Sequence, residues 1–102
     1  MAYSKKIYRA VSEADRHLPG VKLACVCIDA QIPVQVVAKW LGVTRQGIYY
    51  WFTGKTGVDE KHFQKIAKIV RVLTAAVDDF KLPAKDLATA LAVVKTYRET
   101  IK

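Results

Sequence analysis

The sequence predicts an all-helical domain of five helices, preceded by a further short helix or a basic arm. Three observations carry this. Apolar residues recur at intervals of three and four through most of the chain. No segment alternates with period two for long enough to make a strand. The prolines fall between the periodic segments, where they separate helices with short joins.

The elements follow in order. In residues 1–19, Tyr3, Ile7, Tyr8 and Val11 stand at helical spacing, with Lys5, Lys6 and Arg9 on other faces. Ser12 followed by Asp15 has the spacing of a capping box, and Leu18-Pro19-Gly20 punctuates the chain. A helix over 21–31 places Val21, Ala24, Cys25 and Ile28 on one face. Pro33 ends it and opens the next helix, because proline is tolerated at a first helical position but not inside. That second helix carries the stripe Val34, Val37, Ala38 and Leu41. Gly42 stops it with the positive φ that a helix end favours. Val43 plugs inward, and Thr44 caps a third helix, RQGIYYWF. Gly47 inside that helix forgoes about 1 kcal/mol of propensity against alanine, which predicts close approach of a neighbouring backbone or helix. Asp59 caps a fourth helix with Phe63, Ile66, Ala67, Val70, Leu73 and Val77 as its stripe. Lys81-Leu82-Pro83 breaks it. A fifth helix runs from about 84 to 100, with Leu87, Leu91, Val94, Tyr97 or Arg98, and Ile101 in phase. The organisation is an N-terminal segment 1–19, a core 20–80 and a C-terminal helix within 83–102.

Size and composition bound the function. A chain of 102 residues holds one compact domain, and 52% apolar against 25% charged residues excludes a wholly disordered one. The net charge is +8, and residues 34–68 are the most basic third, with six Lys/Arg against two Asp/Glu. A field of this sign favours polyanions, nucleic acid before an anionic membrane surface. No apolar run is long enough to span a bilayer, and the N-terminal lysines lead into no apolar stretch of a signal peptide. Cys25 and Cys27 lie two apart, badly placed to bridge on a helix, and no second pair completes a metal site. They read as reduced thiols of a cytoplasmic chain. His17 and His62 converge with no acid or thiol, and neither a P-loop nor a G-x-G-x-x-G run is present. The expectation is no enzyme, no cofactor, no metal and no small-molecule substrate.

The stretch VVAKWLGVTRQGIYYWFTGK, residues 36–55, carries the functional signal. A helix, a glycine-centred turn and a second helix opened by threonine make a helix-turn-helix pattern. Ala38 is small enough to let the second helix approach, while Ile48 and Trp51 clamp it to the core. Phe52 extends that clamp, Tyr49 faces outward, and Tyr50 lies off both faces. The first turn of the second helix is left exposed, and that is the part that enters a major groove.

In these residues the chain resembles the phage repressor and Cro-like (XRE-type) helix-turn-helix family. Ala38, Gly42, Val43, Ile48 and Trp51 fall at the family's characteristic positions, and Phe52-Thr53-Gly54-Lys55 resembles its usual ending of the recognition helix. The resemblance covers about residues 20–80 and implies a compact five-helix bundle of lambda-repressor-like type. It implies that Arg45, Gln46 and Tyr49 read base edges of double-stranded DNA, with arginine suited to guanine and glutamine to adenine. It implies backbone contacts from Thr44, Lys39, Tyr50 and Lys55, and from Lys61 and Lys65 near the next helix. Gln35 neighbours Val34, which stands where the family often has a phosphate-binding glutamine. One short recognition helix offers limited area, so a homodimer is expected, with Leu87, Leu91, Val94 and Ile101 as its interface. The implied role is a small transcriptional regulator of a phage or mobile element, in the cytoplasm of a bacterium or infected host. The alternatives are a protein-interaction or assembly module on the same fold, and an architectural recombination or packaging DNA binder.

Overall fold

The computed structural model describes residues 3–101; residues 1, 2 and 102, the outermost positions of the expected terminal segments, lie outside the described residues. The described chain is a compact all-α bundle of six helices without a sheet: α1 (Lys5–Ser12), α2 (Pro19–Ala30), α3 (Val34–Leu41), α4 (Arg45–Phe52), α5 (Glu60–Asp78) and α6 (Leu87–Thr100). The N-terminal segment is thus a helix, α1, started by Ser4, whose Oγ accepts from the Ile7 N–H at 3.3 Å. The expected capping box at Ser12 does not form. Ser12 ends α1 instead, donating from Oγ to the Arg9 carbonyl at 2.7 Å.

α2 is the central element. It packs against α1, α4 and α5, so its buried residues extend well beyond one face: Leu23, Val26 and Cys27 are buried as fully as Val21, Ala24 and Ile28. It starts two residues earlier than its apolar pattern predicts, because Pro19 sits at its first position, where no backbone donor is needed. Tyr3, ahead of α1, packs its ring 6.3 Å from Phe52 and donates its hydroxyl to the Ile32 carbonyl, fastening the N-terminus to the core. Burial pushes the Tyr3 phenol and the Cys27 thiol far above their ordinary ranges, so both stay protonated.

The two C-terminal helices keep part of the predicted stripes: Ile66, Leu73 and Val94 are buried, and Val70, Val77, Tyr97 and Ile101 pack against the core. α5 contacts α2, α3 and α6, and its buried face takes in Val72 and Ala76 beside Ile66 and Leu73, leaving Phe63 and Ala67 exposed. On α6 the small Ala90 and Val94 face inward, while Leu87 and Leu91 remain exposed. Tyr97 ties α6 to the end of α5, its hydroxyl donating to Asp79 Oδ2 at 2.6 Å, which holds the phenol above its ordinary range. Asp86 caps α6, accepting from the Thr89 N–H at 2.8 Å, and that bond holds its carboxyl below the usual range.

Phe80, just past α5, has φ +60° and is 93% exposed. A left-handed conformation costs an L-residue about 1–2 kcal/mol, while glycine's greater freedom in the unfolded chain returns about 0.5–1 kcal/mol of that. Phe80→Gly is therefore expected to stabilise the fold by about 0.5–1 kcal/mol. The measurement is the urea midpoint, and an unchanged or lower midpoint would show that the ring makes contacts that matter.

Candidate functional site

The α3–α4 unit is set by two residues of the turn. Gly42 has φ +68° and ψ 33°, and the next N–H, Val43, returns to the Ala38 carbonyl at 3.1 Å. This closes the end of α3 with the left-handed residue that glycine supplies without strain. Thr44 then caps α4, its Oγ1 accepting from the Gly47 N–H at 3.0 Å. The hydroxyl takes one of the first-turn donors, which have no partner within the helix itself.

Gly47 serves this cap and not a neighbouring helix. A Cβ there would lie 3.2 Å from Thr44 Oγ1, with no other atom within 4 Å. The close helix approach is elsewhere, at Gly20 on α2. A Cβ on Gly20 would meet the Trp51 carbonyl oxygen at 2.5 Å. These contacts predict an energetic coupling. Thr44→Ala is expected to cost about 1 kcal/mol through loss of the cap. Gly47→Ala is expected to be near neutral, because about 1 kcal/mol of gained propensity is offset by displacing the hydroxyl. In the double variant that gain is released, giving a coupling of about 1 kcal/mol. Urea unfolding of the four proteins measures it, and simple additivity would refute the assignment.

α4 has one face fixed and one face free. Ile48 and Phe52 are fully buried and Trp51 nearly so, with the Trp51 ring 5.1 Å from that of His62 on α5. His62 Nδ1 is buried without a hydrogen-bond partner among the described residues. On the outer face Thr44, Arg45, Gln46 and Tyr50 are exposed. Gln46 Nε2 donates to the Tyr50 hydroxyl at 2.8 Å, and Lys55 Nζ stands 5.8 Å from the centroid of the Tyr50 ring. The two tyrosines exchange the positions that helical phase suggested. Tyr49 is half-buried against the core, whereas Tyr50 is exposed and lies on the line from Gln46 to Lys55.

The structure thus links Gln46, Tyr50 and Lys55 along one side of α4 and leaves Arg45 exposed at its N-terminal end. Gln35 and Lys39 are exposed on α3, and Lys61 on the first turn of α5. Lys65, one turn beyond Lys61 on α5, lines a groove between α5 and α6 whose lining includes Trp40. Of the expected dimer residues, Leu87 and Leu91 are exposed, Val94 is buried and Ile101 is half-buried against the core. The Gln46–Tyr50 bond was accessible from the sequence, since residues four apart share a helix face. The Gly20–Trp51 contact and the groove were not, because both arise from elements distant in the chain.

Among the described residues no group of His, Cys, Asp or Glu is placed to hold a metal ion, and no helix is long and apolar enough to cross a membrane. Comparison with known proteins gives no matching family model, no matching curated protein and no matching solved structure.

Proposed function

We propose that the protein binds double-stranded DNA sequence-specifically through the first turn of α4, with α3 and α4 forming a helix-turn-helix of the repressor and Cro-like type. The single observation that carries this reading is the contrast within α4. Ile48, Trp51 and Phe52 anchor the helix, while Thr44, Arg45 and Gln46 stand exposed at its N-terminal end. A rigid helix presenting a polar first turn is what major-groove readout requires.

Each exposed residue then has a role. The Arg45 guanidinium suits the O6 and N7 acceptors of guanine. Gln46 keeps its carbonyl oxygen and one amide hydrogen after donating the other to Tyr50. Those two groups suffice for the N6 and N7 edge of adenine, so the intramolecular bond orients Gln46 without exhausting it. Tyr50, Lys55, Lys39, Gln35 and Lys61 contact phosphate, fixing register without reading sequence. Tyr49, half-buried, supports the helix more than it reads bases. A homodimer of a small cytoplasmic regulator would pair recognition helices across two half-sites.

Selection from random duplexes, followed by titration of the enriched sequence at several salt concentrations, tests the reading. The expected result is an enriched motif and an affinity whose logarithm falls linearly with that of the salt concentration. Failure to bind any duplex at low salt would overturn it.

A further inference from the structure

A second surface lies between α5 and α6. It is an open groove of about 450 Å³. Its floor is apolar, made by Trp40 of α3 with Ile69, Val72, Leu91 and Val94. Four cations line it: Lys65 and Lys68 on the α5 wall, Lys95 and Arg98 on the α6 wall. No carboxylate lines it, and among the described residues none of the four cations is held in an ion pair. Within each wall the two cations are three residues apart, so charge repeats about once per helical turn on both sides of an apolar trough. From Leu91 to Arg98 the trough runs about 10 Å, or two turns.

We infer that this groove docks an acidic amphipathic helix of a partner protein. Such a helix lays an apolar stripe into a trough, and Glu or Asp flanking that stripe would meet cations on both walls. The charge pattern selects this occupant over others. A second copy of the chain, itself carrying +8, would set lysines and arginine against lysines and arginine. Duplex phosphates would satisfy the four cations but leave the floor of Trp40, Leu91 and Val94 without use. A lipid surface needs apolar side chains that project beyond the charges, whereas here they lie between and beneath them. A small ligand would be mostly enclosed by its pocket, and this groove is open along its length, leaving Leu91 37% exposed.

The test uses the full chain and a synthetic helical peptide of about 18 residues, with leucines at one-turn intervals and glutamates on both flanks. A second peptide carries glutamine for each glutamate. Titrations are followed by anisotropy of a labelled peptide and by amide and indole N–H shifts in NMR spectra. The glutamate peptide is expected to bind and to move the Trp40 indole signal, and the glutamine peptide to bind about tenfold more weakly. The variant Lys95→Glu/Arg98→Glu, whose sites are exposed, is expected to keep its unfolding midpoint and to bind the glutamate peptide at least about tenfold more weakly. Leu91→Gln is expected to weaken binding similarly. Equal binding of the two peptides, no shift at Trp40 up to millimolar peptide, or an undiminished affinity in Lys95→Glu/Arg98→Glu would each overturn the inference. So would a Lys95→Glu/Arg98→Glu variant that loses binding to phosphatidylglycerol vesicles or duplex DNA when the parent binds no peptide.

Discussion

Gly20→Ala is expected to lower the stability of the fold by about 3 kcal/mol, a large effect for one methyl group. The added Cβ would stand 2.5, 2.8 and 2.9 Å from the carbonyl oxygen, carbonyl carbon and Cβ of Trp51. Two of those atoms are backbone and cannot rotate aside. Relief requires α2 to move away from α4, and α2 is also packed against α1 and α5. Propensity alone favours alanine in a helix, so the sign of the effect separates packing from propensity. Gly57→Ala is the control, since a Cβ there meets nothing within 4 Å; its midpoint is expected to stay close to that of the parent. Guanidinium unfolding measures both. A Gly20→Ala protein as stable as the parent would mean that α4 is not held against α2 as described. Because the same contact sets the pose of α4, DNA affinity is expected to fall with stability.

Arg45→Ala and Gln46→Ala are each expected to weaken binding to the selected duplex by about tenfold to a hundredfold, the range of one lost bidentate base contact. Both side chains are exposed and bury nothing of the core, so unfolding midpoints are expected to stay within about 0.5 kcal/mol of the parent. Specificity is expected to relax at the base pair each one reads, whereas Lys55→Ala is expected to weaken all duplexes alike and reduce the salt slope by about one. Tyr50→Phe removes the acceptor of the Gln46 amide while keeping the ring, and is expected to show a smaller loss confined to the Gln46 position. Folded Arg45→Ala and Gln46→Ala proteins that bind the selected duplex as tightly as the parent would remove the readout assignment.

Local chemistry was legible and relative placement was not. Gly42 and Thr44 each answer a demand set by one or two dihedral angles, so their roles could be read from neighbouring residues alone. Pro33, expected as the first residue of α3, instead precedes it in an extended conformation, and α2 ends earlier, at Ala30. The clamp of Ile48, Trp51 and Phe52 was legible for the same reason, as helical spacing put all three on one side. Tyr49 and Tyr50 lie at the margins of that side, where a rotation of part of a turn decides which ring is covered. Only the neighbours of α4 fix that rotation. The stripe of α5 widened for a related cause: a helix packed against α2, α3 and α6 buries a face that no single periodic stripe describes. The glycines show the limit most sharply. Gly47 interrupts a helix, yet it serves only its own cap. Gly20 sat in a run that reads as a turn, and the tightest contact between helices depends on it.

The cations leave one more consequence. Among the described residues no Lys or Arg is held in an ion pair with a carboxylate, so the excess of positive charge is opposed mainly by water and mobile ions. Self-repulsion of that kind works against the compact state and is relieved when counterions gather around it. Added sodium chloride should therefore raise the thermal midpoint of the protein over the same range in which it would weaken the proposed binding to DNA. Bound DNA would act on the fold as a concentrated counterion, and the gain in thermal midpoint on adding duplex should be greatest in dilute buffer, where the free protein holds together least well.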